Sequence, residues 1–209
     1  MKRLFIYIGI SLIGGCGRAE GPRLQTGDLL FQAGKTSEMS RAIHDATGRK
    51  ASLDYTHVGI ALRTAGADSV LEATGEGVRI VALRRFLDEA GRIDGRPAVV
   101  AMRLRDTAGV AASVARARQA VGLPYDWSFR PDNGRFYCSE LVWEYYLTPE
   151  GRRLFEARPM NFRAADGSMP AFWTELFERL GEPIPEGVPG TNPNDMAREP
   201  ILEEVGRFF

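Results

Sequence analysis

The feature that most restricts the fold is a series of short apolar runs, each of strand length and each closed by turn residues. Leu29-Leu30-Phe31, Val58 to Leu62, Ser69 to Ala73, Val78 to Val81 and Ala98 to Leu104 carry β-type residues, with Gly, Ala and Asp between the runs. Stretches of helical period interrupt and follow them. Ser37 can cap a helix over 37–47, on which Met39, Ala42, Ile43 and Ala46 mark one face. Further helices are expected over 83–90, over 107–121 and over 170–180. In Cys138 to Leu147, the residues Cys138, Leu141, Val142, Tyr145 and Tyr146 repeat along one face. Strands intermixed with helices predict an α+β domain built on a small antiparallel sheet. Gly181 to Pro200, rich in Pro and Gly, reads as a segment wrapping the surface.

The 209 residues are 44% apolar, which fits one domain with a substantial core. Lys and Arg together number 27, as do Asp and Glu. That balance and the scattered arginines give no reason to expect a nucleic-acid partner. Two cysteines and two histidines are too few for a disulfide framework or a four-ligand zinc site. His44, His57 and Cys138 lie on segments without metal-ligand spacing, and no glycine-rich phosphate loop is present. Neither a metal nor a cofactor is expected.

The amino terminus reads as an address. Lys2 and Arg3 precede an apolar run from Leu4 to Ile13, then Gly14, Gly15 and Cys16. The run is shorter than the roughly 20 residues of a spanning helix, and fits a secretory signal. Ile13-Gly14-Gly15-Cys16 resembles the bacterial lipobox, whose cysteine is acylated and becomes the new first residue. An ordinary signal with a chance cysteine is the plainer alternative. The expected division is a signal peptide over 1–15, a lipidated tether over 16–26 and one domain over 27–209. Cleavage would remove Lys2 and Arg3 and leave a slightly acidic chain. Gly17, rather than Asp, follows the cysteine, which by the same resemblance points to the outer membrane, facing the periplasm. A lipidated Cys16 would leave Cys138 as a free thiol.

Three places carry reactive side chains: His57 at the start of an apolar run, Glu72 near the end of the next, and Cys138 at the first turn of a helix. Partial positive charge and unpaired amides at a helix start favour a thiolate and can hold an oxyanion. An imidazole in reach would shuttle the proton, and a carboxylate behind it would fix the ring. If the two strands are antiparallel neighbours, His57 and Glu72 can touch across the ladder. Taken singly, each residue has a plainer reading: Cys138 as inert core on an apolar helix face, His57 as a packed or surface histidine.

Five motifs occur in order: Gly27-Asp28-Leu29-Leu30-Phe31, Thr56-His57-Val58-Gly59-Ile60, Leu71-Glu72-Ala73 with Gly77-Val78, Gly122-Leu123-Pro124-Tyr125-Asp126, and Tyr137-Cys138-Ser139-Glu140-Leu141-Val142. Together they resemble the YiiX/YebB-like branch of the NlpC/P60 superfamily, the circularly permuted papain-like cysteine hydrolases. His57 precedes Cys138, the order of the permuted branch, which also includes lecithin:retinol acyltransferase-like enzymes. The resemblance implies a papain-like fold with a sheet or partial barrel against helices. It implies Cys138 as nucleophile, His57 as base and Glu72 as the residue orienting it. Tyr55 and Tyr125, beside motif positions, are candidates to line the cleft, and His44 matches no motif.

The expected activity is that of a cell-envelope amidase or peptidase acting through an acyl-enzyme. The expected partners are a cell-wall peptide or amino-acid amide as substrate, and the membrane through a lipid anchor. A lipid-directed thiol acyltransferase or esterase is the alternative, and a non-catalytic binding lipoprotein is another. A wide apolar groove beside Cys138 would favour lipid, and a narrow cleft with polar subsites would favour peptide.

Overall fold

The computed structural model describes residues 21–34, 36–48 and 53–209. The signal peptide and Cys16 lie outside the described residues. Six strands form one antiparallel sheet: β1 (Leu29–Ala33), β2 (Tyr55–Leu62), β3 (Ser69–Thr74), β4 (Gly77–Ala82), β7 (Val99–Leu104) and β10 (Leu202–Arg207), ordered β10-β7-β1-β2-β3-β4. Two minor ribbons accompany it, β5 (Arg92–Ile93) with β6 (Arg96–Pro97) and β8 (Arg158–Pro159) with β9 (Pro189–Gly190). The helices are α1 (Glu38–Thr47), α2 (Leu83–Asp88), α3 (Val110–Ala117), α4 (Cys138–Tyr145), α5 (Ala171–Leu180) and α6 (Pro193–Ala197). None of the described helices is long and apolar enough to cross a membrane. The architecture is the expected α+β fold.

The sheet is buried on both faces, and this explains why β1 and β7 read as continuous apolar runs. Leu29, Phe31, Val58, Ile60 and Leu71 face the larger core, which includes Leu141 and Val142 of α4. Leu30, Ala61, Val70, Val99 and Ala101 face a second core closed by Phe86 of α2. Alternate residues of each strand serve opposite layers, as a pleated backbone requires.

Three motif residues, Gly27, Asp28 and Asp126, turn out to be structural braces. Asp28 is buried, and its carboxylate takes Arg103 at 2.7 and 2.8 Å and the Gln25 N–H at 2.7 Å. Gly27 has φ of 94°, and a Cβ there would stand 2.2 Å from Val110 Cγ1. Its carbonyl accepts the Tyr146 hydroxyl at 2.8 Å, anchoring the far end of α4 to the start of β1. Asp126 accepts the N–H groups of Ser128 and Arg130 at 2.9 and 2.8 Å and the Ser128 hydroxyl at 2.6 Å, which folds the approach to α4.

Within 21–26, expected as tether, Leu24 is buried in the second core and the Arg23 carbonyl accepts from Arg103 at 3.2 Å, while Gly21, Arg23, Gln25 and Thr26 are exposed. The Pro-rich segment does not simply wrap the surface. Thr191, Asn194 and Met196 are buried. The buried Asn194 side chain accepts the Tyr55 N–H at 2.7 Å and donates to the Thr47 hydroxyl at 2.9 Å. Beyond it β10 pairs with β7 and closes one edge of the sheet. Its Leu-Glu-Glu-Val-Gly-Arg sequence carries charge toward solvent, as edge strands do.

Candidate active site

Cys138 is the first residue of α4, where the amides lack partners within the helix. Tyr137 before it is extended, and its N–H donates to the Glu140 carboxylate at 3.3 Å. The Tyr137 hydroxyl accepts the Thr191 N–H at 3.0 Å, so the helix start is held by the C-terminal segment as well. These contacts fix the sulfur at the positive end of the helix dipole, with backbone donors around it.

His57 is the third residue of β2, inside the strand rather than at its mouth. β2 and β3 pair with Ile60 opposite Leu71 and Ala61 opposite Val70, so His57 and Glu72 share the sheet face of Ala61 and Val70. His57 Nε2 and Glu72 Oε2 are 2.7 Å apart. Arg79, directly opposite Glu72 in the β3–β4 ladder, sets its guanidinium 2.9 Å from the other carboxylate oxygen. Burial alone would raise the Glu72 pKa. Hydrogen bonding and charge from His57, then from Arg79, hold it below the ordinary carboxylate value.

The imidazole is 17% exposed. Burial disfavours its cation, but hydrogen bonds with Cys138 and then Glu72, reinforced by the charge of both, push its pKa up to about 10. Nε2 is engaged by Glu72, which leaves Nδ1 for any further partner. The Phe86 ring lies 5.8 Å from the imidazole, and Gln32, paired with His57 across β1, donates to the Phe86 carbonyl at 2.8 Å. Gly59 makes room for this packing. A Cβ there would stand 2.5 Å from Val70 Cγ1 and 2.9 Å from Phe86 Cε2.

Cys138, His57 and Glu72 are thus brought together from three segments. Tyr125 is beside them, buried, with its hydroxyl pushed well above the ordinary pKa by that burial. Tyr55 does not line the cleft. A register irregularity at Gln32 and Ala33 turns it into the larger core, 5.4 Å from Phe31. His44 faces Asp54 at 3.4 Å, away from the thiol, and lines a separate surface hollow.

Two cavities meet at the reactive pair. One, a narrow hollow of about 40 Å³, is lined by Cys138, Ser139 and the rings of Phe129, Phe162 and Trp173. The other, about 210 Å³, is lined by His57, Glu72 and the hydroxyl-bearing Thr36, Ser37 and Ser40. Tyr125 borders both. No pattern in the chain marks out the aromatic wall, whose residues come from three separate segments. Arg79 was readable in principle, since the short turn after Thr74 places it opposite Glu72. Among the described residues, no cluster of three or more His, Cys, Asp or Glu side chains is placed to hold a metal ion.

The protein is similar to uncharacterized protein YiiX of Escherichia coli strain K12, with 31% identity over 185 residues, 88% of this chain and 86% of that one. It also resembles a crystal structure described as metalloprotein yiiX from Escherichia coli O157:H7, DUF1105. That likeness has a TM-score of 0.70 and 30% identity, over 88% of this chain and 97% of the other. The family described as permuted papain-like amidase enzyme, YaeF/YiiX, C92 family, matches residues 23–206. With its antiparallel sheet, its inverted His-before-Cys order and a match across nearly all of its described length, the chain belongs to the permuted papain-like amidases of the YaeF/YiiX, C92 family.

Proposed function

We propose that the chain is a cysteine amidase in which Cys138 is the nucleophile, His57 the proton carrier and Glu72 the residue that orients it. The observation that carries this reading is the imidazole held between the thiol and a buried, Arg79-braced carboxylate. The sulfur attacks the amide carbonyl while helix-start amides receive the oxyanion. As the tetrahedral centre collapses, the C–N bond breaks and the His57 cation gives its proton to the departing amine. Water then attacks the thioester, loses a proton to His57 and frees the acid and the thiol.

The test is iodoacetamide alkylation at pH 7, with Cys138 resolved from Cys16 by peptide mass mapping. Cys138 is expected to react at least tenfold faster than in the unfolded chain, and His57→Ala to remove that advantage. A folded thiol no faster than the unfolded one overturns the reading.

The lipobox-like Ile13-Gly14-Gly15-Cys16 supports an envelope enzyme anchored through Cys16, at the outer membrane facing the periplasm. Cys16→Ser is then expected to shift the protein from the membrane to the soluble fraction. In that compartment, cell-wall peptide amides are the first substrate class. The aromatic wall beside Cys138 favours a second reading, in which the acyl group is apolar and lipid-derived. The related crystal structure is described as a metalloprotein. The side chains around Cys138 do not fit a bound ion: Glu72 is already engaged by His57 at 2.7 Å and Arg79 at 2.9 Å, and among the described residues no group of three His, Cys, Asp or Glu could hold one.

A further inference from the structure

The chain is tied to the fold from Gly21 onward. Leu24 is buried in the second core, and its carbonyl accepts from Arg63 at 3.0 Å. The Arg23 carbonyl is held by Arg103. A Cβ on Gly206 would stand 2.8 Å from Pro22 Cβ, and one on Gly21 would stand 3.4 Å from Phe208 Cε1. Residues 21–24 therefore cross the sheet toward β10, and Gly21 leaves the domain beside that edge strand.

These contacts shorten the reach of an anchor at Cys16. Cys16 and Gly21 are five residues apart in sequence, a span of at most about 18 Å in any conformation. A domain of this length is roughly 40 Å across. With lipid on Cys16, Gly21 stays below the midline of the domain whatever path the tether takes, so the β10 side must face the bilayer. The opposite edge is β4, five strand spacings away, or roughly 24 Å across the sheet. His57 lies on β2, three spacings from β10, which keeps the reactive pair beside the bilayer.

The β10 edge suits a headgroup layer. Arg207 bonds Glu204 at 2.7 and 2.9 Å, and Arg105 bonds Glu203 at 3.0 Å, so its charges are matched and no net charge repels phosphate. Half-buried Phe208 and Phe209 stand beside Arg207. A bilayer against this edge would also shield its open ladder from other chains. The apolar patch of Ile80, Val121 and Leu123 is the other surface a bilayer could cover. It lies on the β4 side, where the Leu123 carbonyl accepts the Val78 N–H at 2.9 Å, and five residues of tether keep it turned away.

We infer that the β10 edge, around Arg207 and Phe208, is the membrane-facing side of the anchored domain and docks on the surface of a lipid bilayer. This rests on the reading of Cys16 as a lipid anchor and adds the orientation of the domain above it.

The experiment uses the full lipidated chain with Cys138→Ser, reconstituted into vesicles of phosphatidylethanolamine and phosphatidylglycerol that carry a nitroxide-headgroup lipid. A thiol-reactive fluorophore is placed at one introduced cysteine at a time: Glu203→Cys or Arg207→Cys on the β10 side, Ile80→Cys or Val121→Cys on the β4 side. Two positions on each side preserve the comparison if one variant fails to fold. The β10 labels are expected to be quenched at least twofold more than the β4 labels. Equal quenching at all positions, or stronger quenching at the β4 labels, would overturn this inference and leave the anchor standing. A chain recovered in the soluble fraction with Cys16 unmodified would overturn the anchor reading, and this inference with it.

Discussion

At His57, Glu72 engages Nε2 at 2.7 Å, and Cys138 and Glu72 both favour the ring's cation. Because the pKa is raised from 6.5 to about 10, the interaction contributes stability in full below the unfolded value, and loses it as pH climbs through about 10. The same proton serves the departing amine. The basic limb of a kcat/KM profile is therefore expected near pH 10, and a limb near 6.5 would contradict the assignment. Glu72→Gln keeps the shape but removes the charge. It is expected to lower the basic limb and to cut kcat/KM by roughly 10²-fold or more. Arg79→Met acts through the same carboxylate and should shift the limb in the same direction, by less.

Glu140 is a carboxyl of another kind. It lies buried in the first turn of α4, and burial first, then the charge of Asp126, raises its pKa from 4.5 to about 8. The native state then holds a proton that the unfolded chain has released, so this group's stability contribution falls between about pH 4.5 and 8. Glu140→Gln retains an acceptor for the Tyr137 N–H and removes the titration. The variant should match the parent near pH 4 and melt higher at pH 9. Equal melting temperatures at pH 9 would refute it.

At the scale of elements, the sheet was legible and the edges of the site were not. Leu29 to Phe31 and Ala98 to Leu104 are apolar enough to declare buried strands on sequence alone, and the period of Cys138 to Tyr146 declares α4. β2 begins earlier than its apolar run, because Tyr55 and Thr56 join the ladder with polar or amphipathic side chains. The helix expected over 107–121 forms only over Val110–Ala117, followed by a 3-10 turn. Gly109, with φ of 85°, stands just before its start. α2 is short, yet its Phe86 is fully buried against the sheet, its ring 5.8 Å from that of His57. Phe86→Ala is expected to cost about 3–5 kcal/mol in urea unfolding. Gly59→Ala forces a methyl into Val70 and Phe86, and should cost about 1–3 kcal/mol while slowing Cys138 alkylation.

For the whole molecule, Cys138, His57 and Glu72 stand out in the sequence through the ordered motifs that carry them, since taken singly each has a plainer reading. The aromatic wall does not, since Phe129, Phe162 and Trp173 look like any core aromatics until the chain folds. The C-terminal segment was misleading for a related reason. Its Pro and Gly content describes local backbone, whereas Asn194 and Leu202 act through partners far away in sequence. A chain ending after Gly187 would lose α6, β10 and the Thr191 contact to Tyr137. It is expected to fail to fold cooperatively by circular dichroism and thermal melting, where a dispensable surface wrap would leave both unchanged.

The anchor between Tyr146 and Gly27 bears on the order of assembly. His57 and Glu72 are 15 residues apart and meet within a meander of neighbouring strands, whereas Tyr146 and Gly27 are 119 apart and pay a much larger loop-closure cost. The His57–Glu72 contact can therefore form early, while Cys138 arrives only when α4 docks. During refolding, Cys138 should alkylate at an ordinary rate through the early phases and gain its native reactivity in the last one. The thiol would then report the completion of the fold, and a newly made chain would carry no activated thiol until it was whole.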